Sequence, residues 1–192
     1  RSYQAGQDAP PPAASDQPNV IFIGRTDLSH STVHAADDLR PVMRQLLDAG
    51  IGLHHVQSPE TNDGHPLRKP FAPLDQRGLI AFMPTHDASL MAYNTQACAR
   101  DDRFHLTVPD RLITSVAAGV PIAIPRQGYE GAKQYLVDYP AVIEFDDARD
   151  LQHQLSDRPR LARLRQQAFE ARARYTAESR GELLAGFIAR LR

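Results

Sequence analysis

What this sequence lacks narrows it first. A single cysteine, Cys98, rules out a disulfide within the chain and fits a reducing compartment. No apolar run approaches the roughly 18 residues of a membrane span. Basic excess is missing too: 22 Lys+Arg stand against 23 Asp+Glu, for a net charge of −1. A nucleic-acid surface would need a basic bias, so no nucleic-acid partner is expected. There is no Walker phosphate loop, and no G-x-G-x-x-G follows the first apolar run. That sets aside nucleoside triphosphatases and ordinary dinucleotide enzymes. The two lysines, Lys69 and Lys133, sit in no recognisable cofactor motif. The chain does not begin with Met, and it reads as a piece of a longer protein.

Eight histidines invite a metal reading, which the spacing does not support. His54 and His55 are adjacent in an expected strand and so point to opposite faces. His30 and His34 are four apart, with no Glu between them in a metalloprotease pattern. No metal site and no cofactor is expected. Cys98 lacks a local nucleophile signature.

What is present is a core and a rhythm. Hydrophobic residues make up 42% of 192 residues, enough for one α/β domain. Residues 1–18 carry Pro10, Pro11, Pro12 and Pro18 among small polar residues, and read as a linker or disordered arm. From Asn19 to the end, apolar runs alternate with amphipathic stretches. Strands are expected at 20–24, 52–56, 88–93, 120–124 and 141–145. Helices are expected near 38–49, 74–82, 110–118, 130–138 and 147–155, then over 160–191 with a break around Gly181. Residues 57–72 read as a long loop rich in Pro, Asn, Asp and Gly. Alternation of this kind argues for a parallel sheet with helices on both faces.

In open parallel sheets, ligands bind beyond the carboxyl ends of the strands. Gly24 and Arg25 fall at the first such end: glycine permits close backbone approach, and arginine can clamp a phosphate. Pro109 starts a helix whose first turn holds Arg111 and whose stop is Gly119. A helix amino end attracts anions, and Arg111 adds a full charge there. A basic residue in that turn opposes the helix dipole, a local conflict of the kind found at functional sites. Arg25 and Arg111 together would suit a diphosphate. Gly128 and Glu130 lie in another loop at a strand end, suited to sugar hydroxyls.

The segment Pro109-Asp110-Arg111-Leu112-Ile113-Thr114-Ser115-Val116-Ala117-Ala118-Gly119-Val120-Pro121 resembles the Pro-x-Lys-Leu-x-Glu-Tyr-x-Ala-x-Gly-x-Pro motif of GT-B glycosyltransferases, especially the large retaining family. Phe22-Ile23-Gly24-Arg25 resembles that family's first-strand Gly-Arg loop. The segments 86–93 and 141–147 resemble later strands in the same order. The resemblance implies a Rossmann-like sheet over 19–192, one half of a GT-B fold: the carboxyl-terminal, donor-binding domain. It implies that Arg25 and Arg111 contact a donor diphosphate and that the Gly128–Glu130 loop approaches the sugar. Thr114 stands where the family has a ribose-binding glutamate, and Ser115 where it often has tyrosine. A second basic residue is absent after Arg25, where His30 or His34 would have to substitute.

The expected partners are a nucleotide sugar and, through a missing amino-terminal domain, a glycan or lipid-linked acceptor. The expected enzyme is a glycosyltransferase of the hexosyltransferase type, inactive without that domain, with no catalytic residue assigned. A bacterial role in making a polysaccharide or glycoconjugate is expected. The expected location is cytoplasmic, with the full-length protein at the inner face of a membrane left open. The alternative is a non-catalytic domain of the same shape that binds a ligand or a protein.

Overall fold

A computed structural model of the chain describes residues 10–13, 16–24, 38–57, 64–94, 106–175 and 177–190. Among these, the elements run β1 (Asn19–Phe22), α1 (Arg40–Asp48), β2 (Gly52–Val56), β3 (Arg68–Phe71), α2 (Gln76–Phe82) and β4 (Ala88–Leu90). They continue with α3 (Asp110–Ala118), β5 (Ile122–Pro125), α4 (Glu130–Tyr135), β6 (Val142–Phe145), α5 (Ala148–Ser156), α6 (Arg158–Ala171) and α7 (Ala177–Arg190). Short 3-10 turns cover Met83–Thr85 and Arg172–Tyr175.

Six strands form one sheet in the order β3-β2-β1-β4-β5-β6, and every pairing is parallel. The order turns back between β1 and β4, which makes the carboxyl edge there the switch point of the sheet. Strand side chains alternate between two cores, as the period of two requires. Val20, Phe22, Leu90, Ala123 and Ile143 pack with Met43, Leu46 and Leu151 on the face covered by α1 and α5. Ile122, Ile124 and Met91 pack with Leu112, Val116 and Ala168 on the face covered by α3 and α6. Ile21 meets Met83, Ala118 and Val120 under α2. Continuous apolar strands are what burial on both faces demands.

Three departures from the sequence reading have physical causes. Residues Arg68–Phe71, expected within a loop, form the edge strand β3, pairing with Leu53–Val56. An edge strand is half-solvated, so it shows no apolar run and tolerates Pro70. The expected division between the helices at 147–155 and 160–191 falls at Asp157, which caps α6 through the amide of Arg160, but the last region breaks at Arg172–Tyr175. Gly181, the expected break, lies inside α7. β4 ends at Leu90, short of the expected Tyr93.

Part of the arm expected over 1–18 lies against the domain. Arg165 Nη2 donates to the carbonyls of Pro11 and Pro84, each at 2.7 Å, and Arg158 donates to the carbonyl of Asp16.

Candidate functional site at the carboxyl edge of the sheet

The helix that drew attention in the sequence, α3, starts at Pro109 in extended conformation, with no side chain capping its amino end. Leu112 N–H donates to the Pro109 carbonyl at 2.9 Å, and no side chain caps the amides of Asp110 and Arg111. Gly119 stops it at φ 73°, and its N–H returns to the carbonyls of Ser115 and Val116. A Cβ there would stand 3.0 Å from the Cα of Phe169, so a side chain would crowd α6 as well as strain the left-handed backbone.

Arg111 reaches the end of β4 rather than open solvent. Its Nη2 donates to the carbonyl of Ala92 at 3.0 Å. Its guanidinium lies over the ring of Tyr93 at 4.2 Å and near the ring of Phe22 at 5.4 Å. Contacts of this kind contribute about 1 kcal/mol each, more where water is excluded. Its Nε is buried and meets no hydrogen-bond partner among the described residues. Gly24 belongs to the same seat. A Cβ on it would stand 2.3 Å from Phe22 Cζ, so only glycine lets that ring fold across the strand end. Arg25, the other half of the expected clamp, lies outside the described residues, as do His30, His34 and Cys98.

The remaining expected residues sit in two places. Thr114 is half-buried one turn beyond Arg111, its hydroxyl donating back to the carbonyl of Asp110 at 3.2 Å. Ser115 is fully buried. Its hydroxyl donates to the Arg111 carbonyl at 2.6 Å and lies 2.8 Å from the hydroxyl of Ser89, joining α3 to β4. Gly128 and Glu130 flank Tyr129 after β5. Gly128 (φ 76°) and Tyr129 (φ 65°) are both left-handed, and Glu130 begins α4. A side chain in that region costs about 1 kcal/mol. The loop is braced by Arg126 on Asp146 at 3.0 Å and by Lys133 on the Arg126 carbonyl and on Glu144.

Tyr129 is the residue that sequence reasoning passed over. It is buried, its hydroxyl accepts the amide of Tyr93 at 2.7 Å, and its ring stacks on Tyr93 at 6.0 Å. Burial pushes its phenol up to about 12, so it stays un-ionised. The available signal was positional: Phe22, Tyr93 and Tyr129 all fall at carboxyl ends of strands. Beside Tyr93 a cleft of about 220 Å³ opens between α1 and the ends of β4, β5 and β6. Val42, Gln45, Asn94, Phe145 and Asp147 are among its walls.

Of the described histidines on the sheet, His55 lies level with Phe22 near the carboxyl end of β2, and His86 precedes β4. His54 stands edge-on to His86 at 4.4 Å, whereas the ring of His55 faces Arg68 on the α1 side, so the two diverge as adjacent strand residues must. Among the described residues no cluster of three or more His, Cys, Asp or Glu side chains could hold a metal, and no helix is long and apolar enough to cross a membrane.

No protein-family profile matches the sequence, and no curated protein matches it significantly. Solved structures do. The chain superposes on an O-GlcNAc transferase mutant from Thermobaculum terrenum with a TM-score of 0.62, at 16% identity, over 97% of this chain and 38% of that one. It superposes on sucrose-phosphate synthase from Thermosynechococcus elongatus with a TM-score of 0.57, at 17% identity, over 92% of this chain and 46% of that one. The fold is that of a GT-B glycosyltransferase domain. A third match is the glycosyltransferase SnogD from Streptomyces nogalater, with a TM-score of 0.50 and 18% identity over 95% of this chain. The chain spans less than half the length of each of these three: 38%, 46% and 48%. As a GT-B-like domain, it presents Arg111 and the amino end of α3 at the switch-point edge.

Proposed function

We propose that this chain is the nucleotide-sugar donor-binding domain of a glycosyltransferase. The observation that carries the reading is Arg111. It is a cation seated at the amino end of a helix, at the carboxyl edge of β4, on a fold shared with sugar-transferring enzymes. In this reading the diphosphate meets Arg111 and the first-turn amides behind Pro109, with Gly24 and Arg25 on the other side. Thr114 faces the ribose through a neutral hydroxyl, which binds more weakly than a carboxylate would. The Gly128–Glu130 loop approaches the sugar. Ser115 holds α3 to the sheet. The acceptor, a glycan or lipid-linked molecule, and the catalytic groups come from a second domain, so the chain alone binds donor without transferring sugar.

Titration calorimetry with UDP, GDP, dTDP and their sugars tests this. At least one nucleoside diphosphate should bind, and Arg111→Ala should weaken it by about 10- to 100-fold, the worth of a charged hydrogen bond. Circular dichroism should be unchanged in the variant. No heat from any of these ligands with a folded chain would overturn the reading. A protein-interaction role would then be the better one, and a bound ligand's thermal shift separates the two.

A further inference from the structure

Arg111 owes its place to a chain of contacts that begins on a different loop. The β4–β5 ladder runs from Ser89 N–H to the Pro121 carbonyl and from Met91 N–H to the Ala123 carbonyl, both at 2.8 Å. The next amide in that register is Tyr93, and the acceptor due to it is Pro125. Tyr93 N–H turns instead to the hydroxyl of Tyr129 at 2.7 Å. The ladder therefore ends one rung early, and Ala92–Tyr93 leaves β5 at the point where Arg111 is seated. The guanidinium rests on that dipeptide twice, through the Ala92 carbonyl at 3.0 Å and the Tyr93 ring face at 4.2 Å.

We propose that Tyr129 is a positioning residue for Arg111: by taking the Tyr93 amide it ends the β4–β5 ladder and sets the Ala92–Tyr93 seat on which the guanidinium lies.

Three observations support this. Among the described residues Tyr129 is the one non-glycine with positive φ, and its hydroxyl is what such a backbone brings to the Tyr93 amide. Its ring lies nearly parallel to that of Tyr93, at 15°, so it also holds the surface beneath Arg111. Finally, the inner Nε of Arg111 has no partner among the described residues, so the seat orients the guanidinium where Nε does not. A phenylalanine at 129 would keep the stack and lose the acceptor, freeing Tyr93 N–H to pair with Pro125 and rotate the seat.

The inference rests on the donor reading for its purpose but not for its test. In the full chain, the Arg111 Nε–H signal by nitrogen-15 NMR reports the seat without any ligand. It should exchange slowly in the wild type and about tenfold faster in Tyr129→Phe. The ligand arm compares each nucleoside diphosphate with its monophosphate. The affinity ratio between them should fall about 3- to 10-fold in Tyr129→Phe, while monophosphate affinity is unmoved. The same substitution in an Arg111→Ala background should leave the ratio where Arg111→Ala put it. If Tyr129→Phe does not fold, Tyr93→Leu removes the ring face, keeps the amide, and should lower the ratio likewise. An Nε–H signal and a ratio both unchanged in Tyr129→Phe would overturn the positioning role. A wild type that binds no nucleotide, but shows the NMR change, upholds the positioning role and overturns the donor reading.

Discussion

Asp87 is a carboxylate with no solvent exposure, and three donors hold it. Its Oδ2 accepts from the Asn19 amide at 3.0 Å, from Asn19 Nδ2 at 3.2 Å and from Arg158 Nη1 at 2.8 Å. Burial raises its pKa, and the Arg158 hydrogen bond pulls the other way. Removing one partner of such a pair leaves an uncompensated charge, which typically costs 3–5 kcal/mol. Arg158 is 35% exposed, so Arg158→Ala should cost less, about 2 kcal/mol, read as a lower urea midpoint at unchanged slope. A midpoint shift near zero would mean that water already screens the pair. Single residues differ in how far they announce themselves. Arg111 was legible because a cation in a first turn contradicts the helix dipole, and contradiction stands out. Tyr129 was not legible, because a tyrosine between Gly128 and Glu130 reads as an ordinary loop residue until the Tyr93 amide is seen to need it. Asp87, which the resemblance placed only as part of a strand, proves to be the hub of the opposite edge.

Among elements, α3 and its stop were the most readable, since Pro109, the apolar spacing and Gly119 agree at every level. The stop also separates two costs that a left-handed glycine combines. Gly119 has φ 73° and a would-be Cβ at 3.0 Å from both the Phe169 backbone and Arg172 Cδ. Gly50, which ends α1, has φ 82° and nothing within 4 Å of its would-be Cβ. Gly50→Ala should therefore cost only the conformational share, about 1 kcal/mol, or roughly 2–4 °C in thermal midpoint for a chain of this size. Gly119→Ala should cost about 2–3 kcal/mol, because α6 must give way as well. Equal shifts in calorimetry would show that α6 yields freely and that the close packing at Gly119 is not a constraint. β3 marks the limit of element reading. A half-solvated edge strand of Arg, Lys, Pro and Phe carries no period to detect, and only its pairing with Leu53–Val56 defines it.

At the scale of the whole molecule, strand order follows from rules that need no single residue. Alternating elements imply parallel pairing, and parallel pairing with short connections implies a switch point with a crevice at its carboxyl edge. The edge was thus predictable before its contents were. The opposite edge carries two buried groups whose protonation is tied to folding, His86 and Asp87. His86 is fully buried beside Asp87, in edge contact with His54 at 4.4 Å and Phe82 at 4.7 Å. Burial, helped by the nearby charge of His54, lowers its pKa from 6.5 to about 4. In the unfolded chain it binds a proton near 6.5, and in the folded chain only near 4. Between those values the unfolded state holds more protons, so stability is complete above pH 6.5 and is lost as pH falls towards 4. At about 1.4 kcal/mol per unit, the loss comes to about 3 kcal/mol. Asp87, with its pKa raised, acts in the opposite sense, because its protonation in acid favours the folded state. The total curve mixes these groups with His54, whose pKa burial also lowers, so the informative quantity is a difference. Relative to His86→Phe, which keeps the ring contacts and cannot titrate, the wild type should lose about 3 kcal/mol between about pH 7 and pH 4 in urea unfolding. A gap that does not change with pH would mean that His86 takes up its proton as readily folded as unfolded, and that its packing between Phe82 of α2 and His54 of β2 opens to admit the charge.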